Sequence, residues 1–376
     1  MSGFVVKGWC PNAWRPMPAG DGLLVRVKPR LGRMTAGQVL ALCKAALAHG
    51  NGLIDLTRRA NLQLRGLTEA GWPALIERLI TLDLVDGQPA REGRQNLLVT
   101  PDWQAGDDTH RIASEMQARL NELPEMPGKM GFVIDAGAAC QLRNEAGDFR
   151  IERGETGGLI LRADGRAHGV AVEHGREAEA LITLAHWFVG SGGTAAGRMV
   201  RHRIALPDWA SGTIAPAAPR RCSEPGTHAL GMAYGLPFGR VEAQVLAAAV
   251  EQSHAAAVRV TPWRVLIFEY ANAATIPGLL NDPADPLLHV DACPGAPACP
   301  QATVATRDLA RALAPHIAGP LHVSGCAKGC ARSTPADVTL TGRDGLFDLA
   351  LNAAVGAPPL RSALAPVQLL HHFGAA

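Results

Sequence analysis

Four of the eight cysteines crowd into one short stretch near the end of this chain, and this constrains its fold more than any other feature. Cys293 and Cys299 are separated by five residues, Cys326 and Cys330 by three, and 26 residues lie between the two pairs. A chain of 376 residues can bury its own core without a disulfide scaffold. The crowded thiols therefore indicate metal or redox chemistry.

The spacing of these thiols favours a cubane iron–sulfur cluster. Each iron of a cubane takes one soft terminal ligand, which four thiolates supply, and the small, Pro and Gly residues between the cysteines let the backbone wrap closely. Structural zinc is an alternative, although zinc ligands usually have about two to four residues between them in each pair. A third interpretation leaves all four as unligated core cysteines.

The pattern of apolar residues predicts an α+β fold in two lobes. Thr35 is expected to cap a helix, and strands are expected over 53–57 and 61–67. One apolar face of that helix is predicted to hold Val39, Leu40, Cys43 and Leu47. The letters QVLA at 38–41 recur at 244–247, again followed by a strand-like pair over 258–268. This order of elements indicates an internal duplication.

The remaining segments give a coarser pattern. A second helix is predicted from about residue 68, with Leu75, Ile76, Leu79 and Ile80 buried. Gly/Asp turns between apolar runs predict an antiparallel meander over 130–176, and a helix follows over 178–189. A last strand pair is predicted near 338–351.

Charge and hydropathy argue against two classes of partner. The net charge is +2, with no run of Lys or Arg for nucleic acid or an anionic membrane. No apolar stretch reaches the roughly 18–20 residues that span a bilayer. Residues 1–7 lack a basic segment followed by an apolar one, so we expect no export and a cytoplasmic location.

The cysteine segments resemble a known family. DACPGAPACP at 291–300 and VSGCAKGCA at 323–331 are similar to the cluster motifs of the sulfite and nitrite reductases. The resemblance implies two ferredoxin-like half-domains paired about a pseudo-two-fold axis, each followed by an α/β domain, with the cluster in the second lobe. The expected segments are 1–85 (first half-domain), 86–206 (first α/β domain), 207–228 (linker), 229–285 (second half-domain) and 286–376 (cluster-binding α/β domain).

The segment TRRANLQLRG at 57–66 resembles the part of these enzymes that contacts a tetrapyrrole and the substrate. The resemblance makes Arg59 the motif arginine and Lys129 a second cation, and we assign both to substrate carboxylates. A guanidinium suits this role because it binds carboxylates in a bidentate fork. Without the resemblance, Arg58, Arg59 and Arg65 would be interpreted as a solvated strand edge.

The chain departs from the reductases at two cationic positions. The second Arg position falls on Gln95, beside Arg94, and the second Lys position falls on Gly131. The loss of two positive charges weakens the binding of a small anion such as sulfite or nitrite.

The branch that the chain resembles most is the precorrin-3B synthases of aerobic cobalamin biosynthesis. The opening segment over 10–26, the arginine segment and Lys328 all resemble that branch. The resemblance implies a monooxygenase that hydroxylates precorrin-3A at C20 with O2 while a ring A acetate closes a γ-lactone. A sirohaem-dependent sulfite or nitrite reductase is the alternative, and a non-catalytic iron–sulfur or zinc module is a third interpretation.

The resemblance also implies cofactors. The four cysteines would hold a 4Fe-4S cluster, oxygen would be activated at a separate mononuclear non-haem iron, and sirohaem is less expected. Electrons would come from NADH through a separate reductase, since no nicotinamide or flavin motif is visible. The ligands of the mononuclear iron and the catalytic residues stay unassigned.

Several other residues are interpreted as structural. His289 and Asp291 are expected to shape the cluster segment, and His186 and His322 to be hydrogen-bonded core residues. Three more residues are given default roles: Cys10 and Cys140 as free buried thiols, and Trp263 as core packing at the pseudo-two-fold axis.

Overall fold

The computed structural model describes residues 10–375. Residues 1–7, on which the expectation about export depends, lie outside the described part. No helix among the described residues is long and apolar enough to cross a membrane.

The structure contains strands and helices in mixed order along the whole described chain. The strands are β1 (Met17–Ala19), β2 (Gly22–Val27), β3 (Arg33–Thr35), β4 (Leu53–Leu56), β5 (Leu62–Leu67), β6 (Leu97–Val99), β7 (Phe132–Asp135), β8 (Phe149–Arg153), β9 (Leu159–Ala163), β10 (Val170–Ala171), β11 (Gly226–His228), β12 (Gly231–Gly235), β13 (Arg240–Glu242), β14 (Ala257–Val260), β15 (Val265–Glu269), β16 (Val290–Ala292), β17 (Leu321–Ser324), β18 (Ala336–Arg343), β19 (Leu346–Ala353) and β20 (Arg361–Leu364). The helices are α1 (Ala36–His49), α2 (Trp72–Thr81), α3 (Pro89–Arg94), α4 (Asp108–Ala118), α5 (Glu177–Gly190), α6 (Gly193–Ala196), α7 (Ala243–Ser253), α8 (Arg307–Leu313) and α9 (Pro366–Phe373).

The duplication inferred from the sequence is confirmed by two interlocked antiparallel sheets. Their strand orders are β1-β2-β5-β4-β13 and β11-β12-β15-β14-β3, so each sheet receives one strand from the other repeat. Helices α1 and α7 pack against each other, and one apolar core contains residues of both repeats. This arrangement is the pair of ferredoxin-like half-domains about a pseudo-two-fold axis.

Buried ion pairs accompany the exchanged strands. On β13, Arg240 binds Asp55 of β4 through two hydrogen bonds of 2.6 and 2.9 Å. On β3, Arg33 binds Glu269 of β15 in the same bidentate way, and Arg259 also donates to Glu269. Each exchanged strand is therefore joined to the sheet of the other repeat by an ion pair as well as by backbone hydrogen bonds.

The first helix is confirmed, with one correction to its buried face. Thr35 accepts a hydrogen bond from the N–H of Gln38, whose side chain bonds back to Thr35, which is a capping box. Val39 and Cys43 are buried as predicted, but Leu47 is 43% exposed, and Leu42 contributes to the core instead. Helix α1 is turned about its axis relative to the prediction because it packs against α7. The residues of α1 by themselves do not specify where α7 lies.

The structure also tests the predicted buried face of α2 and the predicted strand pairs. Leu75, Ile76 and Leu79 are buried in α2, whereas Ile80 is half-buried. The strand pairs β4–β5, β14–β15 and β18–β19 occur where they were predicted, and so does α5.

The third sheet overturns part of the predicted meander. Its order is β10-β9-β8-β7-β6, and β7 and β8 are parallel, as are β6 and β7. The chain between β7 and β8 must therefore cross back to the edge of the sheet at which β7 begins. Hydrogen bonds hold this connection in place. The Asp135 carboxylate accepts from the N–H of Leu142, and the Arg150 guanidinium donates to the carbonyl oxygens of Leu142 and Glu145. Local hydropathy does not encode strand direction.

The fourth sheet carries the cysteine loops. Its order is β16-β17-β18-β19-β20, with β16, β17 and β18 parallel and the last two strands antiparallel to their neighbours. Helices α8 and α9 pack with it around a separate apolar core. Within the predicted linker over 207–228, isolated bridges at Ile214, Pro216 and Pro219 lie beside the third sheet, whereas Gly226–His228 is strand β11 of the second sheet. The five segment boundaries given above stay predictions.

Candidate active site

The four clustered thiols follow two neighbouring parallel strands. Cys293 comes directly after β16, and Cys326 comes two residues after the end of β17. Because parallel strands end at the same edge, both cysteine loops emerge there, which is where α/β sheets generally bind ligands. Cys330 lies close enough to the other three thiols for their charges to interact.

The loops around these thiols are closely packed. The N–H of Gly325 donates to Cys293 Sγ at 3.2 Å. Gly295 has φ of +68°, and a Cβ there would lie 2.8 Å from Oγ1 of Thr306, while a Cβ on Gly325 would lie 2.6 Å from the Cβ of Ala302. Glycine is required at both positions for the backbone to approach so closely. Grouped soft sulfur ligands with a backbone N–H donor fit an iron–sulfur cluster.

Burial affects the pKa of two of the four clustered thiols. It raises the pKa of Cys293, although the N–H groups of Gly325 and Gly295 oppose that shift, and it also raises the pKa of Cys330. Within residues 10–375, no three His, Cys, Asp or Glu side chains are placed to ligate a single metal ion. The assignment of the four cysteines as cluster ligands stays a prediction.

Two large cavities are rich in arginine, and one of them lies at this edge. The thiol cavity has a volume of about 770 Å³ and includes Cys293, Cys330, Arg58 and Arg307 in its wall. The basic cavity has a volume of about 670 Å³. The cationic residues of the basic cavity are Arg15, Arg26, Lys28, Arg94, Lys129, Arg198 and Arg201. Arg26 lines both cavities.

The structure brings the two predicted substrate residues together. Arg59 Nη2 donates to the main-chain oxygen of Lys129 at 2.6 Å, and the Lys129 side chain lines the basic cavity. Burial and the neighbouring Arg198 lower the pKa of Arg59. A cation beside other cations and partly out of water gains from an anionic ligand.

The other two arginines of the motif differ from Arg59. Arg58 is exposed in the thiol cavity and donates to the carbonyl oxygen of Ala331, next to Cys330. Arg65 is buried and forms a bidentate pair with Asp21. The solvated-edge interpretation is therefore wrong for Arg65.

The two positions that depart from the reductases are also placed. Gln95 is buried and donates to the carbonyl oxygen of Lys28, whereas Arg94 lines the basic cavity. Gly131 lies against Arg59, since a Cβ on it would be 3.8 Å from Arg59 Nη1. A lysine is thus missing beside the motif arginine, and the buried amide of Gln95 does not replace an arginine.

Sequence reasoning missed several cations of the site. Arg26 and Lys28 lie two residues apart on and just after β2, and burial lowers the pKa of Arg26. Burial also lowers the pKa of Lys28, to about 8. Arg307 has two buried guanidinium nitrogens without a hydrogen-bond partner among the described residues. Two cations at the end of an apolar run, Arg26 within β2 and Lys28 just after it, were the available signal for the first pair.

The histidines give two corrections. His186 is exposed, with Nε2 2.8 Å from the carbonyl oxygen of Glu122, so it is not a core residue. His322 is fully buried, but neither ring nitrogen has a hydrogen-bond partner in the described part, and burial lowers its pKa to about 4. Asp291 pairs with Arg332 at 2.9 Å, in line with a role in shaping the cluster segment, and His289 is exposed.

The cysteines outside the cluster and Trp263 differ from one another in burial. Cys140 is buried and its pKa is raised to about 12, whereas Cys10 is only half-buried and lines the basic cavity. Cys222 is exposed. Trp263 is half-buried and packs against the core shared by the two repeats, as expected, and it also lines the thiol cavity, where its Nε1 donates to Glu145 Oε1 at 2.8 Å.

Comparisons with known proteins agree with this architecture. Residues 15–82 match the family described as the nitrite/sulfite reductase ferredoxin-like half domain. The chain is 33% identical to a precorrin-3B synthase from Sinorhizobium sp. over 394 aligned positions, which cover 94% of this chain and 84% of the relative. It is 28% identical to a ferredoxin–nitrite reductase from Synechococcus elongatus over 153 positions, or 38% of this chain and 30% of that protein.

A solved structure supports the fold. The NirA protein of Mycobacterium tuberculosis superposes with a TM-score of 0.63 at 18% identity, covering 92% of this chain and 78% of that one. At this identity the likeness shows a shared two-lobed fold and nothing about the ligand.

Proposed function

The chain belongs to the precorrin-3B synthase family, and we propose that it is the oxygen-dependent monooxygenase that converts precorrin-3A into precorrin-3B in cobalamin biosynthesis. The reaction adds one oxygen atom as a C20 hydroxyl while a ring A acetate closes a γ-lactone onto C1. The observation that carries this proposal is the juxtaposition of the grouped thiols with a large arginine-lined cavity, which shares Arg26 with a second, basic cavity.

The cations of the cavities suit a polycarboxylate macrocycle. Arg59 and Lys129 are proposed to bind two substrate carboxylates, because the Arg59 guanidinium is bonded to the main chain of Lys129 and has Arg198 as a cationic neighbour. Arg26 lines both cavities, so its guanidinium can contact a ligand in either.

The proposed cofactor is a 4Fe-4S cluster held by Cys293, Cys299, Cys326 and Cys330. When bound, such a cluster supplies electrons one at a time. The chain contributes loops in which Gly295 and Gly325 leave no room for a side chain. It also contributes the Gly325 N–H, which donates to Cys293 Sγ. A mononuclear iron, NADH as the electron source, a separate reductase and a cytoplasmic location are further parts of the proposal.

A sirohaem-dependent reductase is the second candidate. Cys330 is exposed in the thiol cavity, and the reductases place at that position the cysteine that bridges to sirohaem. The burial of Gln95 and the absence of a side chain on Gly131 speak against a pocket for sulfite or nitrite.

Anaerobic purification followed by absorption and EPR spectroscopy tests both candidates. We expect broad cluster absorption without macrocycle bands, and a reducible cubane signal. The purified protein, supplied with precorrin-3A, a chemical reductant and ¹⁸O2, should then yield a product heavier by one labelled oxygen atom. Soret-like bands of an iron isobacteriochlorin, together with no oxygen incorporation, would support the reductase instead.

A further inference from the structure

Three carboxylates line the thiol cavity, and two of them are neutralised by arginine. Asp55 binds Arg240 in a bidentate pair, and these hydrogen bonds hold its pKa low against the effect of burial. Asp291 pairs with Arg332 at 2.9 Å and with Arg264 at 3.5 Å. Asp55 therefore stays ionised and is a poor proton donor, and the charge of Asp291 is already paired.

Glu145, the third carboxylate, is held differently. Its Oε1 accepts a hydrogen bond from Trp263 Nε1 at 2.8 Å, and across residues 10–375 it has no ion-pair partner. Its main-chain oxygen accepts from Arg150 at 2.6 Å. Glu145 is therefore anchored by its backbone to the first α/β unit and by its side chain to the second half-domain, with the carboxyl group half-buried at the cavity wall.

The surroundings of Glu145 favour its protonated form. Burial raises its pKa, and this effect exceeds the opposing effects of the Trp263 hydrogen bond and of the charges of Arg58 and Arg150. Cys222 is the other titratable group that faces it. A general acid is most effective when its pKa approaches the working pH.

The proposed reaction consumes protons. Insertion of one atom of O2 with release of the other as water takes two electrons, from the external reductant, and two protons. We propose that Glu145 is the acid that supplies a further proton as the lactone closes, an inference that rests on the proposed function. The inserted oxygen replaces the double bond between C1 and C20 with single bonds to both carbons. The ring A carboxylate then forms its bond to C1 as the bond between C1 and the inserted oxygen breaks, and the Glu145 O–H bond breaks as its proton passes to the oxygen that stays on C20. The resulting Glu145 carboxylate regains a proton from solvent through the open side of the cavity.

The substitution Glu145→Gln keeps the size and the acceptor for Trp263 but removes the acidic proton. In single-turnover assays with bound precorrin-3A, O2 and a pre-reduced cluster, we expect product formation to slow about 10²–10⁴-fold. The Kd for precorrin-3A and the cluster EPR signal should stay within about two-fold of the wild-type values. Glu179→Gln, the same change on the exposed face of α5, should react at the wild-type rate.

The controls separate this proposal from the proposed function. A wild-type protein that forms no product would overturn the proposed function itself. A Glu145→Gln variant that reacts at the wild-type rate would overturn only the role of Glu145. Loss of substrate binding or of the cluster in that variant would also overturn it, since the residue would then be structural.

Trp263→Phe provides a second measurement because it retains the ring and removes the N–H donor. The hydrogen bond from Trp263 lowers the pKa of Glu145, so its loss raises that pKa. We expect the alkaline limb of the single-turnover pH profile to move to higher pH. A profile that falls equally at every pH would contradict proton donation by Glu145.

Discussion

The arginines in and around the two cavities fall into two groups according to whether a carboxylate lies beside them. Arg65 and Arg240 form bidentate pairs with Asp21 and Asp55, and their charges are thereby neutralised. Arg26 and Arg59 have no carboxylate within ion-pairing distance in the described chain, and burial lowers the pKa of each. The unpaired charges are the ones that can bind an anionic ligand.

Arg59→Ala should weaken the binding of precorrin-3A and leave the cluster intact. A hydrogen bond to a charged group contributes about 1.5–3 kcal/mol, so we expect the Kd to rise about 10- to 100-fold. Anaerobic absorption titration measures this. Arg221→Ala, which removes an exposed arginine paired with Glu224, should bind like the wild type. An unchanged Kd for Arg59→Ala would show that the site assignment is wrong.

The exchanged strands make the two half-domains depend on each other. Glu269 of β15 accepts from Arg33 of β3 and from Arg259 of β14, and Glu269 and Arg259 are buried. Arg33 and Glu269 are 236 residues apart in the chain. Removal of the central carboxylate would leave a buried guanidinium without its counter-charge.

Glu269→Gln should therefore lower the free energy of unfolding by about 3–5 kcal/mol, the usual cost of breaking a buried ion pair. Urea denaturation of the cluster-loaded protein, followed by circular dichroism, measures the shift. Glu251→Gln, on the exposed side of α7, is the matched control and should unfold near the wild-type midpoint. Equal midpoints for the two variants would mean that the strand exchange does not depend on this carboxylate.

The end of β7 carries a buried carboxylate with a different property. Burial raises the pKa of Asp135 from 3.8 to about 6, although the N–H groups of Leu142 and Gln141 oppose the shift. The folded state thus binds more protons than the unfolded state between about pH 4 and 6. The stability that this proton provides is present below that range and is lost as the pH rises through it.

Asp135→Asn cannot ionise and should escape this loss. Relative to the wild type, the variant should gain on the order of 2–3 kcal/mol in the free energy of unfolding between pH 4.5 and pH 7.5. Urea titrations at the two pH values give the difference, with the exposed Asp344→Asn as the control. Parallel behaviour of Asp135→Asn and the wild type would show that Asp135 is already ionised at low pH.

The thiol cavity is assembled from parts of the chain that are far apart. Its wall includes Arg58 of the first half-domain, Glu145 of the first α/β unit, Trp263 of the second half-domain and Cys330 of the last unit. The β1–β2 hairpin also contacts the first cysteine loop, where the N–H of Gly20 donates to the carbonyl oxygen of Ala298. The site therefore depends on the whole molecule.

Cys293→Ser tests this dependence, because Cys293 is the most buried of the four thiols and accepts the Gly325 N–H. We expect loss of both the cluster EPR signal and the turnover of precorrin-3A. Hydrogen exchange should increase in the loops at 293–302 and 325–335, while β4, β5, β14 and β15 stay protected. Cys140→Ser, at a buried thiol away from the cluster loops, should retain the cluster. Turnover by the Cys293 variant would exclude electron transfer through the cluster.

Much of the local structure could be predicted because its causes are short-range. The Thr35 cap, the strand pair β4–β5 and the second strand pair β14–β15 depend on neighbouring residues, and the structure confirms them. Strand direction in 130–176 and the exposure of Leu47 could not be predicted in this way, because both depend on which distant element covers the segment.

The sequence by itself determined the spacing of the thiols, the order of the elements, the duplication and the resemblance to a family, since each is a property of consecutive residues. Only the tertiary structure decided which charges are paired, that β3 and β13 exchange sheets, and that Glu145 meets Trp263 from 118 residues away. The physical reason is that the protonation and binding capacity of a side chain depend on burial and on neighbouring charges, and packing brings those neighbours together from remote parts of the chain.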